Sequence, residues 1–124
     1  MSQDVKTISI DGVDYVRKDC SIPAVKLDGM DYCILRTYSA GVFAGYVESE
    51  SEDGKKLVLR NVRRLWYWDG AASLSQMAQE GVSKPSNCKF AMPVDKLQIN
   101  ECIEKLYCTE KARKNIEGVA IWKA

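Results

Sequence analysis

The chain has 124 residues, 46% of them apolar and 28% charged, which predicts one folded domain with its own core. The formal net charge is +1, so the strongly basic surface typical of nucleic-acid-binding proteins is not expected. The sequence contains no histidine, which excludes histidine acid–base catalysis, Ser–His and Cys–His nucleophiles and most catalytic zinc sites. We therefore expect a binding protein rather than an enzyme, with no catalytic residue, no metal and no cofactor.

The sequence pattern also bears on location. No apolar stretch approaches the roughly 18 residues that span a bilayer, and the polar start Met1–Lys6 lacks the apolar core of a signal peptide. We expect no membrane association and a protein that stays in the compartment where it is made. Five cysteines without a CxxC pair are expected to be reduced thiols, several of them buried: Cys20, Cys33, Cys88, Cys102 and Cys108.

Charge is distributed unevenly along the chain. Residues 1–54 carry 10 acidic and 5 basic side chains, a balance of −5, whereas residues 55–124 carry 7 acidic and 13 basic, a balance of +6. This asymmetry favours an anionic partner for the second half, contacts between subunits, or mutual neutralisation when the two halves pack together.

The first elements predicted along the chain form a β-hairpin. Thr7–Ile10 and Val13–Val16 alternate around an Asp11–Gly12 turn signal. Residues 22–29 contain a proline and a second Asp-Gly pair, which indicates a connection. The predicted organisation is an arm with its connection over residues 1–29 and a β-rich core domain over residues 30–124. Because an isolated hairpin is marginally stable, we expect the arm to pack on the body or on a neighbouring subunit.

The core domain is predicted to begin with successive antiparallel strands. Tyr32–Tyr38, Val42–Glu48 and Lys56–Arg60 are rich in strand formers, and Leu65–Trp68 continues the third strand or forms a fourth. Short strands joined by tight turns predict a mainly β (α+β) fold, a small antiparallel SH3-like or Sm-like barrel or sheet.

Two short helices and further strands are predicted in the second half. Ser73 and Gln76 fit a capping box, and Gly81 ends that helix. Thr109 is placed to cap a second helix, Glu110–Glu117, which Gly118 ends. Strands are predicted at Lys89–Met92, around Gln98–Leu106, and as a closing strand at Val119–Trp122.

The most concentrated binding signal lies between Arg60 and Trp68, a run with three arginines, two tryptophans and a tyrosine. Arginine forks bind phosphates or carboxylates, and tryptophan stacks on bases and other planar rings. The structural alternative is that strand alternation buries part of the run; since Trp66 and Trp68 share a face, at least one is expected in the core. The candidate ligand-binding residues here are Arg60, Arg63, Arg64, Trp66 and Trp68.

A second candidate is the turn between the first two core strands, where small residues let a ligand approach the backbone and hydroxyls and aromatics lie beside them. The same residues also suit an ordinary hairpin, and the phosphate-loop pattern is missing. The start of the first helix offers backbone N–H groups to an anion. These two segments add Arg36, Tyr38, Ser39, Phe43 and Ser73 to the candidate residues.

Two motifs resemble a family of small phage and prophage proteins of uncharacterised function. They are Arg36–Gly45 (RTYSAGVFAG) and Arg63–Leu74 (RRLWYWDGAASL), and the resemblance extends over Tyr32–Ala124. It brings no agreed activity, so it implies no catalytic residues. It does imply an accessory protein of a bacterial virus that acts in the bacterial host cytoplasm.

Three functional hypotheses follow. The first is a homo-oligomeric anti-defence protein that binds and sequesters a nucleotide-type immune signal of the host, with aromatics stacking and arginines holding phosphates. The second is a protein–protein inhibitor that occludes a host defence enzyme through the same residues. The third is a small barrel that binds RNA or single-stranded DNA, which the near-zero net charge disfavours.

Overall fold

The computed structural model describes residues 7–10, 13–16 and 22–124. The two N-terminal segments confirm the predicted hairpin, since β1 (Thr7–Ile10) pairs antiparallel with β2 (Val13–Val16). The predicted Asp11–Gly12 turn and Cys20 lie outside the described residues. The connection at residues 22–29 contacts the second half of the chain, since the Ala24 N–H donates to the Cys108 carbonyl at 3.2 Å.

Six strands form an antiparallel sheet, which confirms the mainly β (α+β) fold class. In this sheet β4 lies between β3 and β5, β8 pairs with the outer side of β3, and β6 and β7 pair with successive parts of the outer side of β5. The strands are β3 (Asp31–Thr37), β4 (Val42–Glu50), β5 (Leu57–Tyr67), β6 (Lys89–Phe90), β7 (Val94–Ile99) and β8 (Cys102–Tyr107).

The sheet is strongly curved. Strands β7 and β8 lie at opposite edges, which in a flat sheet would be about 19 Å apart at about 4.8 Å per neighbouring pair. Only Asn100 and Glu101 join them, a link that spans at most about 11 Å. The edges must therefore approach each other, and the Cys102 N–H donates to the Lys55 carbonyl at 2.9 Å across the gap. This strand order and curvature agree with the predicted small barrel or sheet.

The two faces of the sheet bury separate clusters. Alternate residues of β3 point to opposite faces, as the pleat requires. The inner face gathers Cys33, Leu35, Phe43, Leu57, Leu59, Val62, Ile99 and Cys102. The outer face packs against α1 (Leu74–Glu80) and α2 (Glu110–Gly118), and its cluster includes Ile34, Tyr46, Leu65, Met77, Phe90, Ala112 and Ile116.

The predicted helix caps are confirmed. The Ser73 hydroxyl accepts from the Gln76 N–H at 3.1 Å, and the Thr109 hydroxyl accepts from the Ala112 N–H at 3.1 Å. The Gln76 side chain does reach back, but it accepts from the Ala72 N–H rather than from that of Ser73. None of the helices in the described residues is both long and apolar enough to cross a membrane.

Strand β5 is continuous, and its pairing with β4 is irregular at two places, one of them beside Asn61. Asn61 has a φ of 47°, in the left-handed region, and the pairing with β4 shifts beside it. Gly45 lies opposite this irregularity, and a Cβ atom there would be only 2.7 Å from the Cβ of Val62. The close approach of β4 and β5 therefore requires glycine at position 45.

Three strand predictions in the second half need correction. The segment predicted around Gln98–Leu106 is divided between β7 and β8, because the chain changes edges at Asn100–Glu101. The strand predicted at Lys89–Met92 has only two residues. The closing strand predicted at Val119–Trp122 is wrong, since that segment makes only an isolated bridge between Phe90 and Ile121.

The cysteines described by the structure are buried free thiols, in agreement with the sequence-based expectation: Cys33, Cys88, Cys102 and Cys108. Burial raises the pKa of the Cys33 and Cys108 thiols to about 12. These thiols stay protonated near neutral pH and act as small apolar core residues.

Candidate functional site

Arg64 is an exposed arginine near the end of β5, directly opposite Phe43 in β4. Its guanidinium carbon lies 4.7 Å from the centroid of the Phe43 ring, a cation–π contact. Among the described residues, no carboxylate lies within ion-pair distance of this guanidinium. The aromatic ring therefore holds the arginine in place and leaves its N–H donors free for a ligand.

Two open clefts meet at Arg64 and Ala40. We call the first the polar cleft; its volume is about 440 Å³, and Thr37, Ala40, Phe43, Arg64 and residues 97–101 line it. We call the second the tryptophan cleft; its volume is about 560 Å³, and Ala40, Gly41, Val42, Arg64, Leu65, Trp66 and Trp68 line it. Both volumes fall within the roughly 300–1,000 Å³ range of small-molecule sites.

The wall between the clefts is a fixed turn. The Thr37 hydroxyl donates to the Gly41 carbonyl at 2.7 Å and accepts from the Ala40 N–H at 2.9 Å. Gly41 has a φ of 101°, a conformation that favours glycine. The Ser39 hydroxyl donates to a Glu101 carboxylate oxygen at 2.7 Å, which ties the turn to the β7–β8 link. The turn is therefore organised before any ligand arrives.

The two tryptophans of the central motif have different surroundings. Trp66 is 64% exposed, whereas Trp68 is half-buried and packs against the outer-face cluster. Strand β5 ends at Tyr67, so Trp68 no longer follows the alternation of the strand. Trp68 is thus the tryptophan with core contacts, and Trp66 presents its indole to solvent at the rim of the cleft.

Beyond Trp66 lies a surface that we call the aromatic–lysine patch, formed by Trp66, Tyr67, Lys89 and Trp122. The indoles of Trp66 and Trp122 are parallel within 3°, with centroids 6.4 Å apart. The Lys89 ammonium lies 5.5 Å from the Trp122 ring centroid and 6.0 Å from that of Tyr67. The chain end is held there by a hydrogen bond from the Trp122 N–H to the Phe90 carbonyl at 2.9 Å.

Sequence reasoning missed Lys89 and Trp122 as site residues. Both flank segments predicted as ordinary strands, and the two are more than thirty positions apart. Their contact arises because β6 pairs with the end of β5 and the C-terminal segment bridges to β6. The one available signal was an aromatic residue near the chain end, which by itself is compatible with a core position.

The predicted ligand role of Arg63 is wrong. This side chain is 3% exposed and faces the helices, and burial lowers the pKa of its guanidinium. It donates four hydrogen bonds, of 2.8–3.0 Å, to the backbone carbonyls of Phe90, Ala91, Ile116 and Val119. Arg63 is a structural residue that joins β5 to the end of α2 and to the segment after β6, with no room for an anion.

Phe43 and Arg60 also have structural roles. Phe43 is 1% exposed, so its ring has no face free to stack on a ligand and instead supports Arg64. Arg60 is ion-paired with Glu48 at 3.0 Å and donates from Nε to the Asp95 carbonyl at 3.0 Å. The structure therefore does not bring Arg60 to either cleft, because these partners hold it farther back along β5.

Arg36 is the other predicted arginine beside the site. It lies opposite Val42, which lines the tryptophan cleft, and its Nη1 is 3.7 Å from a Glu104 carboxylate oxygen. Its side chain is about half exposed. Arg36 lines neither cleft, and a carboxylate already partly neutralises its charge.

The remaining candidates lie apart from the ligand-facing surface. Tyr38 is 78% exposed and lines a separate hollow with Lys55 and Ile103. The Ser39 hydroxyl is bound to Glu101, and the Ser73 hydroxyl is used as the cap of α1. Of the ten predicted site residues, the structure gathers Phe43, Arg64, Trp66 and Trp68 around the two clefts.

The clefts present groups that can form hydrogen bonds, ion pairs and stacking contacts. They offer a guanidinium, an exposed indole, and the amide and carboxylate groups of Gln98, Asn100 and Glu101. In the part of the chain that the structure describes, no cluster of three or more Cys, Asp or Glu side chains is placed to hold a metal ion. This set of groups suits a planar, anionic ligand.

Comparison with known families gives one match. A family model described as "Domain of unknown function (DUF6948)" matches residues 30–116, well over half of the chain. The chain belongs to this family. The DUF6948 match includes Arg64, Trp66 and Lys89, and Trp122 lies beyond it. No curated protein and no solved structure matches the chain.

Proposed function

We propose that this DUF6948 protein is a non-catalytic binding protein that sequesters a nucleotide-type ligand at Arg64. One observation carries the proposal: an arginine held over the Phe43 ring, unpaired with any carboxylate in the described residues, lines two open clefts at once. A guanidinium in this state binds a phosphate through two parallel hydrogen bonds.

The groups around Arg64 complement the rest of a nucleotide. The exposed indole of Trp66 provides a face on which a base stacks, a contact worth about 1–3 kcal/mol per base. The side chains of Gln98, Asn100 and Glu101 in the polar cleft provide hydrogen-bond partners for ribose hydroxyls or base edges. Binding of this kind needs contacts but no proton transfer, which agrees with a chain without histidine.

The resemblance to phage and prophage proteins supplies the biological part of the proposal. In this view the ligand is a nucleotide-type immune signal of the bacterial host, and the protein acts as an anti-defence protein in the host cytoplasm. We further propose that it works as a homo-oligomer, since the opposite charge balances of residues 1–54 and 55–124 suit contacts between subunits.

The first experiment is native mass spectrometry of the untagged protein, alone and with a panel of linear and cyclic nucleotides. We expect an oligomer that carries a fixed number of nucleotides per subunit. The variant Arg64→Gln should weaken the affinity at least about tenfold, equivalent to about 1.4 kcal/mol, and lower the number of bound nucleotides accordingly. Arg60→Gln is the matched control, since Arg60 lies on the same strand but outside the clefts.

Comparison with the Arg60→Gln control also shows which result would contradict binding at Arg64. Equal nucleotide binding by wild type, R64Q and R60Q would place the ligand elsewhere, and no adduct with any nucleotide would reject the proposal. Thermal melts of each variant confirm that the compared proteins are folded.

A second candidate function is inhibition of a host defence enzyme by direct contact. It is favoured by the exposure of Trp66, Tyr67 and Trp122 on one patch, because aromatic residues are enriched at binding hot spots. If no nucleotide binds, pull-downs from the host with wild type and Trp66→Ala test this candidate. Retention of one host enzyme by wild type and its loss with W66A would support it.

A further inference from the structure

The tryptophan cleft and the aromatic–lysine patch form one continuous surface. Arg64 and Trp66 line the cleft together, and the Trp66 indole is parallel to that of Trp122. The Trp122 ring in turn contacts the Lys89 ammonium, which also lies over Tyr67. Along this surface a cation, a pair of indoles and a second cation follow one another.

The two cations are held over different rings, the Arg64 guanidinium over Phe43 and the Lys89 ammonium beside Tyr67 and Trp122. Arg64 and Tyr67 are three residues apart on β5, which corresponds to about 10 Å, and Lys89 is paired with Tyr67 on the neighbouring strand, about 5 Å away. The Cα atoms of Arg64 and Lys89 are therefore separated by about 11 Å. Held at these separate rings, each cation can bind a phosphate of its own.

Lys89 is available for an anion. Its side chain is exposed, and among the described residues no carboxylate lies within ion-pair distance of it. The flanking rings hold the ammonium near the indoles, as the Phe43 ring holds Arg64. The same device, a cation positioned by aromatic rings, thus occurs on both sides of the Trp66–Trp122 pair.

We propose that the ligand is a di- or oligonucleotide, with one phosphate at Arg64, a second at Lys89 and a base stacked on the Trp66–Trp122 pair. This inference rests on the proposed function, because it uses the same Arg64 site. Alternation of phosphate contacts with stacking platforms is how proteins bind single-stranded nucleotides without reading their sequence. A mononucleotide would use only half of this surface.

The test compares AMP, the linear dinucleotide pApA and cyclic di-AMP by isothermal titration with the full chain. We expect at least one of the two dinucleotides to bind about tenfold tighter than AMP, and the tighter one identifies the linear or the cyclic form. Lys89→Gln should weaken that dinucleotide about tenfold and leave AMP within twofold of wild type. The salt dependence of dinucleotide binding should fall by about 0.7 in log–log slope, as expected for one lost phosphate contact.

Lys84→Gln is the matched control, since Lys84 is also an exposed lysine, five residues earlier and outside the patch. It should change neither affinity. A second variant, Trp122→Phe, keeps an aromatic ring and should retain most dinucleotide binding, whereas Trp122→Ala should lose it.

Two outcomes are distinguishable. Equal affinity for AMP and both dinucleotides, or equal behaviour of K89Q and K84Q, would overturn this inference while Arg64-dependent AMP binding keeps the proposed function. Absence of binding by AMP and both dinucleotides would overturn this inference, and absence of any adduct with the nucleotide panel as well would reject the proposed function with it.

Discussion

Arg63 and Arg64 are neighbours in sequence and belong to two different regions of the molecule. Arg63 lies on the helix-covered face of the sheet, where four backbone carbonyls accept its hydrogen bonds. Arg64 lies on the opposite face, at the meeting point of two open clefts, with an aromatic ring as its only described partner. The pleat of β5 turns the two side chains to opposite faces, and the packing of the helices decides which face is covered.

Within one motif, Arg63 is placed to stabilise the fold and Arg64 is placed to bind a ligand. An arginine whose donors are all directed at fixed carbonyls contributes to the fold and has little capacity for a ligand. An arginine positioned by a ring retains its donors for a phosphate. We therefore expect variants on the helix-covered face to change the free energy of unfolding, and variants at the clefts to change affinity.

The largest stability effect is expected for Arg63→Ala. It removes the Arg63 donor from four backbone carbonyls, of which those of Phe90 and Ile116 keep a backbone donor. Each buried group left unsatisfied costs roughly 1–3 kcal/mol. We expect the free energy of unfolding in urea to fall by about 3 kcal/mol or more. A loss below about 1 kcal/mol would contradict the structural role of Arg63.

Gly45→Ala tests the tight contact between β4 and β5. The new methyl group would lie 2.7 Å from the Cβ of Val62, so we expect a loss of about 1–3 kcal/mol from overpacking. Gly118→Ala is the control, because a Cβ at Gly118 meets nothing within 4 Å. Urea denaturation of the two variants should give a clear loss for position 45 and little change for position 118.

The loss of stability at acid pH is expected to depend on Glu110, at the start of α2. Hydrogen bonds from Arg113, followed by one from the Val25 N–H, lower the pKa of this carboxyl from 4.5 to about 2. A lowered pKa in the folded state means that the stabilisation is complete above pH 4.5 and is lost as the pH falls toward 2. Melting temperatures between pH 6 and pH 2 should fall less steeply for Glu110→Gln than for wild type; parallel curves would contradict this.

The smallest stability effect is expected for Arg64→Gln. Its side chain is exposed and makes no described ion pair, so the free energy of unfolding should stay within about 0.5 kcal/mol of wild type. The same urea denaturation that detects the loss in R63A checks this value. A destabilisation comparable to that of R63A would mean that the two arginines do not differ in role.

Local patterns predicted the parts of the fold that depend on local interactions. The hairpin around residues 11–12, the caps at Ser73 and Thr109 and the first two core strands follow from turn, capping and alternation signals. The break between β7 and β8 at Asn100–Glu101 does not follow from such local signals, because it is imposed by the curvature that brings opposite sheet edges together.

The candidate site was predicted only in part for the same reason. Alternation indicates that Arg63 and Arg64 differ, but it does not reveal which of them faces the helices, since α2 is more than forty residues away. The carbonyls of Ile116 and Val119 that bind Arg63, and the Trp122 ring beside Trp66, are brought there by tertiary packing. The sequence motif thus indicated the candidate site without separating the residues that line it from those with a structural role.

The most direct test of this account is an NMR titration that follows the arginine Nε–H signals of the full chain with added nucleotide. The account predicts that the Arg64 signal shifts in proportion to binding, while the Arg63 Nε–H, bonded to the Ala91 carbonyl at 3.0 Å, does not move. Variants R64Q and R63K assign the two signals. A shift of the Arg63 signal with an unchanged Arg64 signal would contradict nucleotide binding at Arg64.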